Sequence, residues 1–535
     1  MPSRNYLKCF CFALVQFIIV GALLYPNNAS CATITMPKIF SHHMVLQREK
    51  PVPVWGWASP GEKVTVEFAG QHKETVAGTD GRWEIRLDPM PACKEGRALL
   101  VSGATESSVK FTDVVVGEVW ICSGQSNMAF GLGKASEAQE DVNAANLPDL
   151  RLFLVFNVVS SSPNQDVQGR AWTVCSNQTA AGWTAVGFYF GRRLLSELDV
   201  PVGLISASWG GSNIEPWTPL EAFDTVPELT EYIGVFNKMK QVYLNALPDK
   251  MNALEKWISN ARKAIEKGKK LPVEPVWPVY PGNNRRMPVA IYNAMIYPLI
   301  PYAIRGAIWY QGENNSGNPG DIYYHKMRAL IGGWRHAWAQ GDFPFYYVQL
   351  ANFQRDQKKP AGGSGWANLQ NNQLKALAIT NTGMAVAIDI GAAKDIHPKN
   401  KFDVGERLAR WALARDYGKT NIVASGPLYR EMKIEGGRIR LSFDYLGGGL
   451  MVGEKTGRKP ASEIKNGKLQ RFAIAGEDKK WVWADAVIDG DTVVVSSPDV
   501  PKPVAVRYAY SNNPEGCDLY NHAGLPASPF RTDAW

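Results

Sequence analysis

Ser126, in Gly124-Gln125-Ser126-Asn127, and His397, in Asp395-Ile396-His397-Pro398, are the residues of this chain whose types suit nucleophilic catalysis. A serine hydroxyl attacks poorly until a base within hydrogen-bond reach takes its proton, and histidine is the usual base at neutral pH. Of 7 histidines, His397 combines a predicted strand-end loop with a neighbouring carboxylate. Asp395 is the candidate to orient the imidazole and stabilise its charged form, with Asp389, Glu313 or a backbone carbonyl as substitutes. Acyl transfer also needs donors aimed at the developing oxyanion. The backbone N–H of Ser126, one from the Gly210-Gly211 turn and the side-chain amide of Gln311 are the candidates. Each feature has a plainer alternative: a turn with a helix cap for Gly-Gln-Ser-Asn, a capping or surface role for His397, and a tight turn for the glycines.

The elements around these residues decide between the readings. Val114 to Cys122 is β-branched and mostly apolar on both faces, as expected of a strand buried in a parallel sheet. Four further runs read as strands: Val202–Ser208, Ile304–Tyr310, Phe345–Leu350 and Met384–Asp389. Helical periodicity lies between or after them at Trp183–Leu198, Tyr323–Trp338, Leu369–Ile379 and Val404–Tyr417. Alternation of this kind predicts an α/β doubly wound sheet of five parallel strands. The polar clusters Gly124–Asn127, Gly210–Ser212, Gln311–Glu313 and Asp395–Pro398 then all fall at carboxyl ends of strands. One sheet edge can bring them together.

The 535 residues exceed one hydrophobic core. Residues 33–112 and 421–535 show short alternating runs broken by Gly and Pro, which predicts β-sandwich-like modules on either side of a catalytic domain at 113–420. A polar helical insertion is expected at about 220–272. Residues 1–32 have the pattern of a signal peptide: Arg4 and Lys8, an apolar run from Cys9 to Tyr25, then Ala29-Ser30-Cys31-Ala32. This predicts export to a periplasmic, extracellular or lumenal space, with no stable membrane span after cleavage. Cys31 leaves lipid anchoring as the lesser alternative. The net charge of +8 falls to +6 without the leader, and no Lys/Arg block tracks phosphates, so no nucleic-acid partner is expected. Four cysteines remain outside the leader (Cys93, Cys122, Cys175, Cys517), scattered and read for the most part as buried thiols. No CxxC or HExxH spacing occurs, so neither a metal nor a cofactor is expected.

Five blocks in order carry a resemblance: Gly117-Glu118-Val119-Trp120, Gly124-Gln125-Ser126-Asn127-Met128, Ser208-Trp209-Gly210-Gly211, Ile308-Trp309-Tyr310-Gln311-Gly312-Glu313 and Asp395-Ile396-His397-Pro398-Lys399-Asn400-Lys401. Together they resemble the sialate O-acetylesterase family, within the SGNH (GDSL-type) hydrolases. The likeness runs from Pro37-Lys38-Ile39-Phe40 to Phe530-Arg531-Thr532-Asp533. It implies a flavodoxin-like fold and a serine esterase that removes acetyl groups from sugar hydroxyls, with Ser126 and His397 matching the nucleophile and base. Two blocks depart from the wider superfamily. Gln311-Gly312-Glu313 stands where Gly-x-Asn-Asp is usual, so the oxyanion role of Gln311 is implied by the subgroup alone, and Lys394 stands where an acid three residues before the histidine is common.

The substrate implied is an O-acetylated sugar or glycan. Trp209, Trp217, Trp309 and Tyr310 lie beside the blocks and are placed either to stack on a sugar face or to pack the core. Asn127 and Glu313 are further candidates for substrate contact. A sialic acid carries a carboxylate, which arginine recognises best, so Arg285 and Arg286 are the candidates to bind it. A neutral acetylated xylan or pectin oligosaccharide would need neither arginine. Outside the enzyme class, the flanking β modules also fit a non-catalytic carbohydrate-binding protein. The oligomeric state is left open.

Overall fold

The computed structural model describes residues 34–103, 108–278 and 284–535. The expected leader at 1–32 lies outside them. The central element is a strand of 17 residues, β1 (Ser108–Gly124), buried without a break from Val114 onward. Around it lie β2 (Leu147–Val155), β3 (Gly169–Cys175), β4 (Val202–Ser208), β5 (Gly306–Tyr310), β6 (Phe345–Val348) and β7 (Thr382–Ala385). Their order across the sheet is β7-β6-β5-β1-β4-β2-β3. All neighbours are parallel except the β2/β3 pair.

Each of the five expected runs overlaps a strand, the last displaced to Thr382–Ala385 from the expected Met384–Asp389, but the sheet is larger than expected: β2 is a sixth parallel strand and β3 an antiparallel edge. The reason lies in the sequence of β2, where Pro148, Asp149 and Arg151 interrupt the apolar pattern. Arg151 is nevertheless 4% exposed. Its guanidinium donates to the His43 carbonyl at 3.1 Å and to the Asp113 carboxylate at 3.0 Å, so its charge is satisfied inside the fold. Leaving β2 and β3 aside, the remaining order β4-β1-β5-β6-β7 places later strands on both sides of the first. The chain reverses direction between β1 and β5, the switch point at which open α/β sheets bind ligands.

The apolar runs are buried on both faces because helices cover both. On one face, α2 (Ala185–Leu198) and α6 (Lys401–Arg415) pack on β1 and β6: Phe190 sits edge-on to Trp120 with centroids 5.0 Å apart, and Trp411 stacks on Tyr346 at 6.3 Å. On the other face, α4 (Ile322–Trp338) brings Trp334 against Trp309 at 6.3 Å, while the Tyr347 hydroxyl donates to a carbonyl of α5 (Gly365–Lys375) at 2.7 Å. Side chains alternate along a strand, so Trp120 and Tyr346 share one face and Trp309 and Tyr347 the other. Two helices are short or remote: α1 (Ser126–Ala129) is one turn, and α3 (Thr230–Glu266) is a long helix.

The N-terminal β strands are fused to the catalytic sheet rather than tethered to it. The first half of β1 pairs with Val45–Gln47 and Cys93–Gly103, and its second half with β4 and β5. The C-terminal strands build a second apolar core around Leu441, Phe472, Val495, Val506 and Phe530. It is attached by polar contacts, including Gln349 Nε2 donating to Ser528 Oγ at 2.8 Å. Among the described residues no helix is long and apolar enough to cross a membrane, and Cys93, Cys122, Cys175 and Cys517 are free thiols.

Gly124 ends β1 at a φ of +135°, and a Cβ there would run into the carbonyl oxygen of Tyr310 on β5. Only glycine lets the two strand ends meet at this point. Gly124→Ala is therefore expected to destabilise the protein by about 2–4 kcal/mol, measured as a lowered midpoint of chemical denaturation.

Candidate active site

Where β1 ends, the Gln125 N–H donates to the Tyr310 carbonyl at 2.9 Å, and the chain turns straight into α1 with Ser126 at its first position. The serine is half-buried, at the carboxyl edge of the sheet. Its Oγ lies 2.8 Å from Nε2 of His397, a residue 271 positions away in the chain. The histidine is delivered by the loop after β7, immediately before α6, where Asn400 accepts the N–H of Asp403 as N-cap. The two candidate side chains therefore meet within hydrogen-bond reach.

Asp395 accompanies the histidine without filling the third triad position. Its Oδ1 accepts the backbone N–H of His397 at 2.8 Å and stands 3.7 Å from Nδ1, ion-pair range but beyond a hydrogen bond. It shapes the loop and places a negative charge behind the imidazole. Of the two substitute acids, Asp389 is bound by both guanidinium ends of Arg407 at 2.6 and 2.8 Å and does not serve. Glu313 is committed to Asn127 in a buried network.

The glycine turn lies against the Ser126 side chain. A Cβ on Gly210 would stand 3.3 Å from the Ser126 Cβ, and the turn is docked by the Trp209 N–H donating to the Gly124 carbonyl at 3.0 Å. Gly211 has a φ of +69°. Among the described residues the N–H groups of Ser126, Gly210 and Gly211 have no backbone acceptor, which leaves them free to donate.

Gln311 does not join them. Its side chain is fully buried, and its amide nitrogen donates to Gln125 Oε1 at 3.2 Å, to the Ser212 carbonyl at 3.2 Å and to Asn315 Oδ1 at 2.7 Å. With two hydrogens already shared among three acceptors, it has none for an oxyanion. Gln311 is a tie that fixes the serine and glycine loops to each other.

Behind the serine lies a polar cluster sealed from solvent. Asn127 Nδ2 donates to Glu313 Oε1 at 2.5 Å and to the Ile396 carbonyl at 3.0 Å, while its Oδ1 accepts from Lys401 Nζ at 2.5 Å. Asn127 and Glu313 are 1% and 7% exposed, so the expectation that they contact substrate is corrected: they hold the histidine loop from behind. Burial raises the Glu313 carboxyl above its ordinary range and lowers Lys401 to about 7. The lysine head also sits 5.0 Å above the Phe130 ring and 5.2 Å above Tyr310, contacts that attract a cation. For His397, burial first, and the Lys401 charge second, push the imidazole below its ordinary value, with Asp395 opposing. It is thus held neutral, the form a general base needs. Residue reasoning gave Lys401 no role. The available signal was its position at the start of a helix, where a cation opposes the helix dipole and needs another reason to be there.

The substrate candidates divide. Arg285 is exposed beside the glycine turn, with Nη1 3.4 Å from the Gly210 carbonyl and its guanidinium 6.0 Å over the half-buried Trp209 ring. Both face the serine's surroundings. Arg286 is exposed and makes a backbone contact to Asn284 instead. Trp217, Trp309 and Tyr310 are at most 1% exposed, so they pack the core and do not stack on a sugar.

A family model described as carbohydrate esterase, sialic acid-specific acetylesterase, matches residues 116–259 and 285–414. The rat protein named sialate O-acetylesterase is 29% identical, the alignment covering 91% of this chain and 92% of that one. Its human counterpart of the same name is 26% identical over 97% and 96%. The crystal structure of a carbohydrate acetylesterase from Xanthomonas citri superposes with a TM-score of 0.76 at 36% identity, covering 94% of this chain and 100% of that chain. The matched residues span both strand ends that carry Ser126 and Gly210 and the loop that carries His397. The chain therefore belongs to the sialic acid-specific acetylesterase family of carbohydrate esterases, and it is a carboxylic ester hydrolase.

Proposed function

We propose that this protein is an exported serine acetylesterase of the SGNH type that removes O-acetyl groups from sialic acid through an acetyl-serine intermediate. The observation that carries this reading is the 2.8 Å contact between His397 Nε2 and Ser126 Oγ at the switch point of the sheet. His397 takes the Ser126 proton as Oγ attacks the acetyl carbonyl. The resulting oxyanion accepts from the N–H groups of Ser126, Gly210 and Gly211. His397 then gives the proton to the departing sugar hydroxyl, leaving acetate esterified to Ser126. A water deprotonated by His397 attacks that ester, acetate leaves, and Oγ recovers its proton. Export rests on the leader pattern at residues 1–32.

Sialic acid is preferred over a neutral sugar because Arg285 stands at the glycine turn with its guanidinium exposed, where a substrate carboxylate would meet it. The second reading, an acetylated neutral polysaccharide such as xylan, draws support from the Xanthomonas citri protein, described simply as a carbohydrate acetylesterase. One assay separates them. Ser126→Ala is expected to lower acetate release from every substrate by ~10⁴-fold or more. Arg285→Ala should raise KM by about tenfold or more for O-acetylated sialic acid, as the loss of a charge-assisted bond requires, and leave acetylated xylose unaffected. Equal effects on both sugars would remove the sialic acid preference, and full activity in Ser126→Ala would remove the mechanism.

The pH profile tests the arrangement around His397. Its depressed pKa keeps the neutral base available below the ordinary histidine value of about 6.5, so the acid limb of kcat/KM is expected below that pH. Lys401→Met removes a cation that lowers this pKa, so the limb should move to higher pH. Asp395→Asn removes an anion that raises it, so the limb should move to lower pH. Shifts in the same direction would contradict the assigned charges.

A further inference from the structure

A cavity of about 620 Å³ opens on the β2/β4 side of the nucleophile, a volume typical of small-ligand sites. It adjoins the catalytic turn through two residues on its wall. Ala129 is the last residue of the helical turn that begins at Ser126. Ser208 ends β4 directly beside Gly124 and stands two residues before Gly210, the glycine against the Ser126 side chain. The cavity wall is thus built in part from the same turn and strand end that carry Ser126 and Gly210.

The chemistry of the walls indicates what would fill it. Ser206 and Ser208 alternate on β4, so both hydroxyls point from the same face of the sheet into the cavity. Ser206 is 4% exposed, yet its hydroxyl has no hydrogen-bond partner among the described residues. It is therefore open to bond with whatever occupies the cavity. At the mouth, the Phe156 ring is 40% exposed and offers a flat apolar face, and Gln178 adds an exposed amide. Arg170, also exposed, is the one charged residue on the wall among the described residues. Hydroxyls, an amide and an open aromatic face with almost no charge suit a neutral sugar, which presents alternating hydroxyl edges and apolar ring faces.

We propose that this cavity is a subsite for the sugars next to the acetylated one, so that the enzyme takes its substrate as part of an oligosaccharide chain, with a ring stacked on Phe156 and hydroxyls paired with Ser206 and Ser208. The proposal rests on Ser126 being the nucleophile, and it places the chain on the β2/β4 side of that residue. Two sources offer this chemistry, a glycan bearing a terminal acetylated sialic acid and an acetylated plant polysaccharide.

The test compares wild-type protein with Phe156→Ala and Ser206→Val on p-nitrophenyl acetate, on free O-acetylated sialic acid and acetylated xylose, and on the same sugars within a sialylated oligosaccharide and within acetylated xylo-oligosaccharides. Wild-type protein should show a lower KM for at least one chain than for its free sugar. Both variants should raise that KM about tenfold, the effect of losing ~1.4 kcal/mol of binding, with p-nitrophenyl acetate turnover unchanged. The chain that shows the effect identifies the source. Phe156 is on the surface, so its variant keeps the fold even if the Ser206 variant does not. A KM for both chains that Phe156→Ala leaves unchanged would overturn the subsite, as would an equal loss on p-nitrophenyl acetate. Retention of p-nitrophenyl acetate hydrolysis by Ser126→Ala would instead strike the nucleophile assignment, a separate result read in the same experiment.

Discussion

A hydroxyl and an imidazole separated by 271 residues can stay 2.8 Å apart only if the segments that carry them are fixed to a common frame. That frame is the carboxyl edge of β1 and β5. Ser126 is set by a strand that ends where a glycine touches the neighbouring strand's carbonyl, and a larger residue would push the two ends apart. His397 sits on a loop with little regular structure of its own. Its register is held by Asp395 accepting the His397 N–H from within the loop and by Asn127 donating to the Ile396 carbonyl from behind. The residue after Ser126 thus anchors the residue before His397. Serine and histidine loops are coupled through one asparagine, and misplacing either end by an ångström would cost the proton transfer.

The cluster behind the serine shows what that coupling requires energetically. Burying a lysine and a glutamate is expensive, and their attraction offsets the cost only with good geometry and further hydrogen bonds. Here Asn127 supplies those bonds to both, and two aromatic faces receive the lysine head. One Glu313 oxygen is still unpaired, consistent with a carboxyl whose proton affinity is raised. The charges also act on the chemistry. A cation and an anion approach His397 from opposite parts of the loop and helix, and their difference, added to burial, leaves the imidazole neutral. The carboxylate that would complete a conventional triad is 3.7 Å from Nδ1, so orientation of the base comes chiefly from the loop's backbone bonds.

Much of this was legible in the order of residues, and the rest was hidden for physical reasons. That Ser126, His397 and the Gly210-Gly211 turn come together could be read because strand ends of one sheet share an edge. The five mostly apolar strands could be read because burial on both faces leaves few polar positions, Glu118 and Ser206 among them. The β2 strand could not, since Arg151 looks like a surface residue until backbone carbonyls far away in sequence accept its protons. Gln311 has the right group for an oxyanion hole, but residue type says only that an amide donates. Packing decides to whom, and here the acceptors are Gln125, Ser212 and Asn315. Glu313 and Asn127 likewise have groups suited to substrate contact, and packing commits them to each other and to the histidine loop instead. Trp309 and Tyr310 flank the site in sequence yet point into the two helical layers, because neighbours on a strand face opposite ways.

The central claim is that Ser126 Oγ becomes covalently acetylated during turnover. Rapid acid quenching of the enzyme with p-nitrophenyl acetate, followed by intact-mass and peptide mass spectrometry, tests it without reference to the natural sugar. The account predicts a transient gain of a single acetyl group on the peptide containing Ser126, formed no more slowly than the steady-state rate. Turnover with no adduct under conditions where deacetylation is slow, or an acetyl group on any other residue, would contradict it.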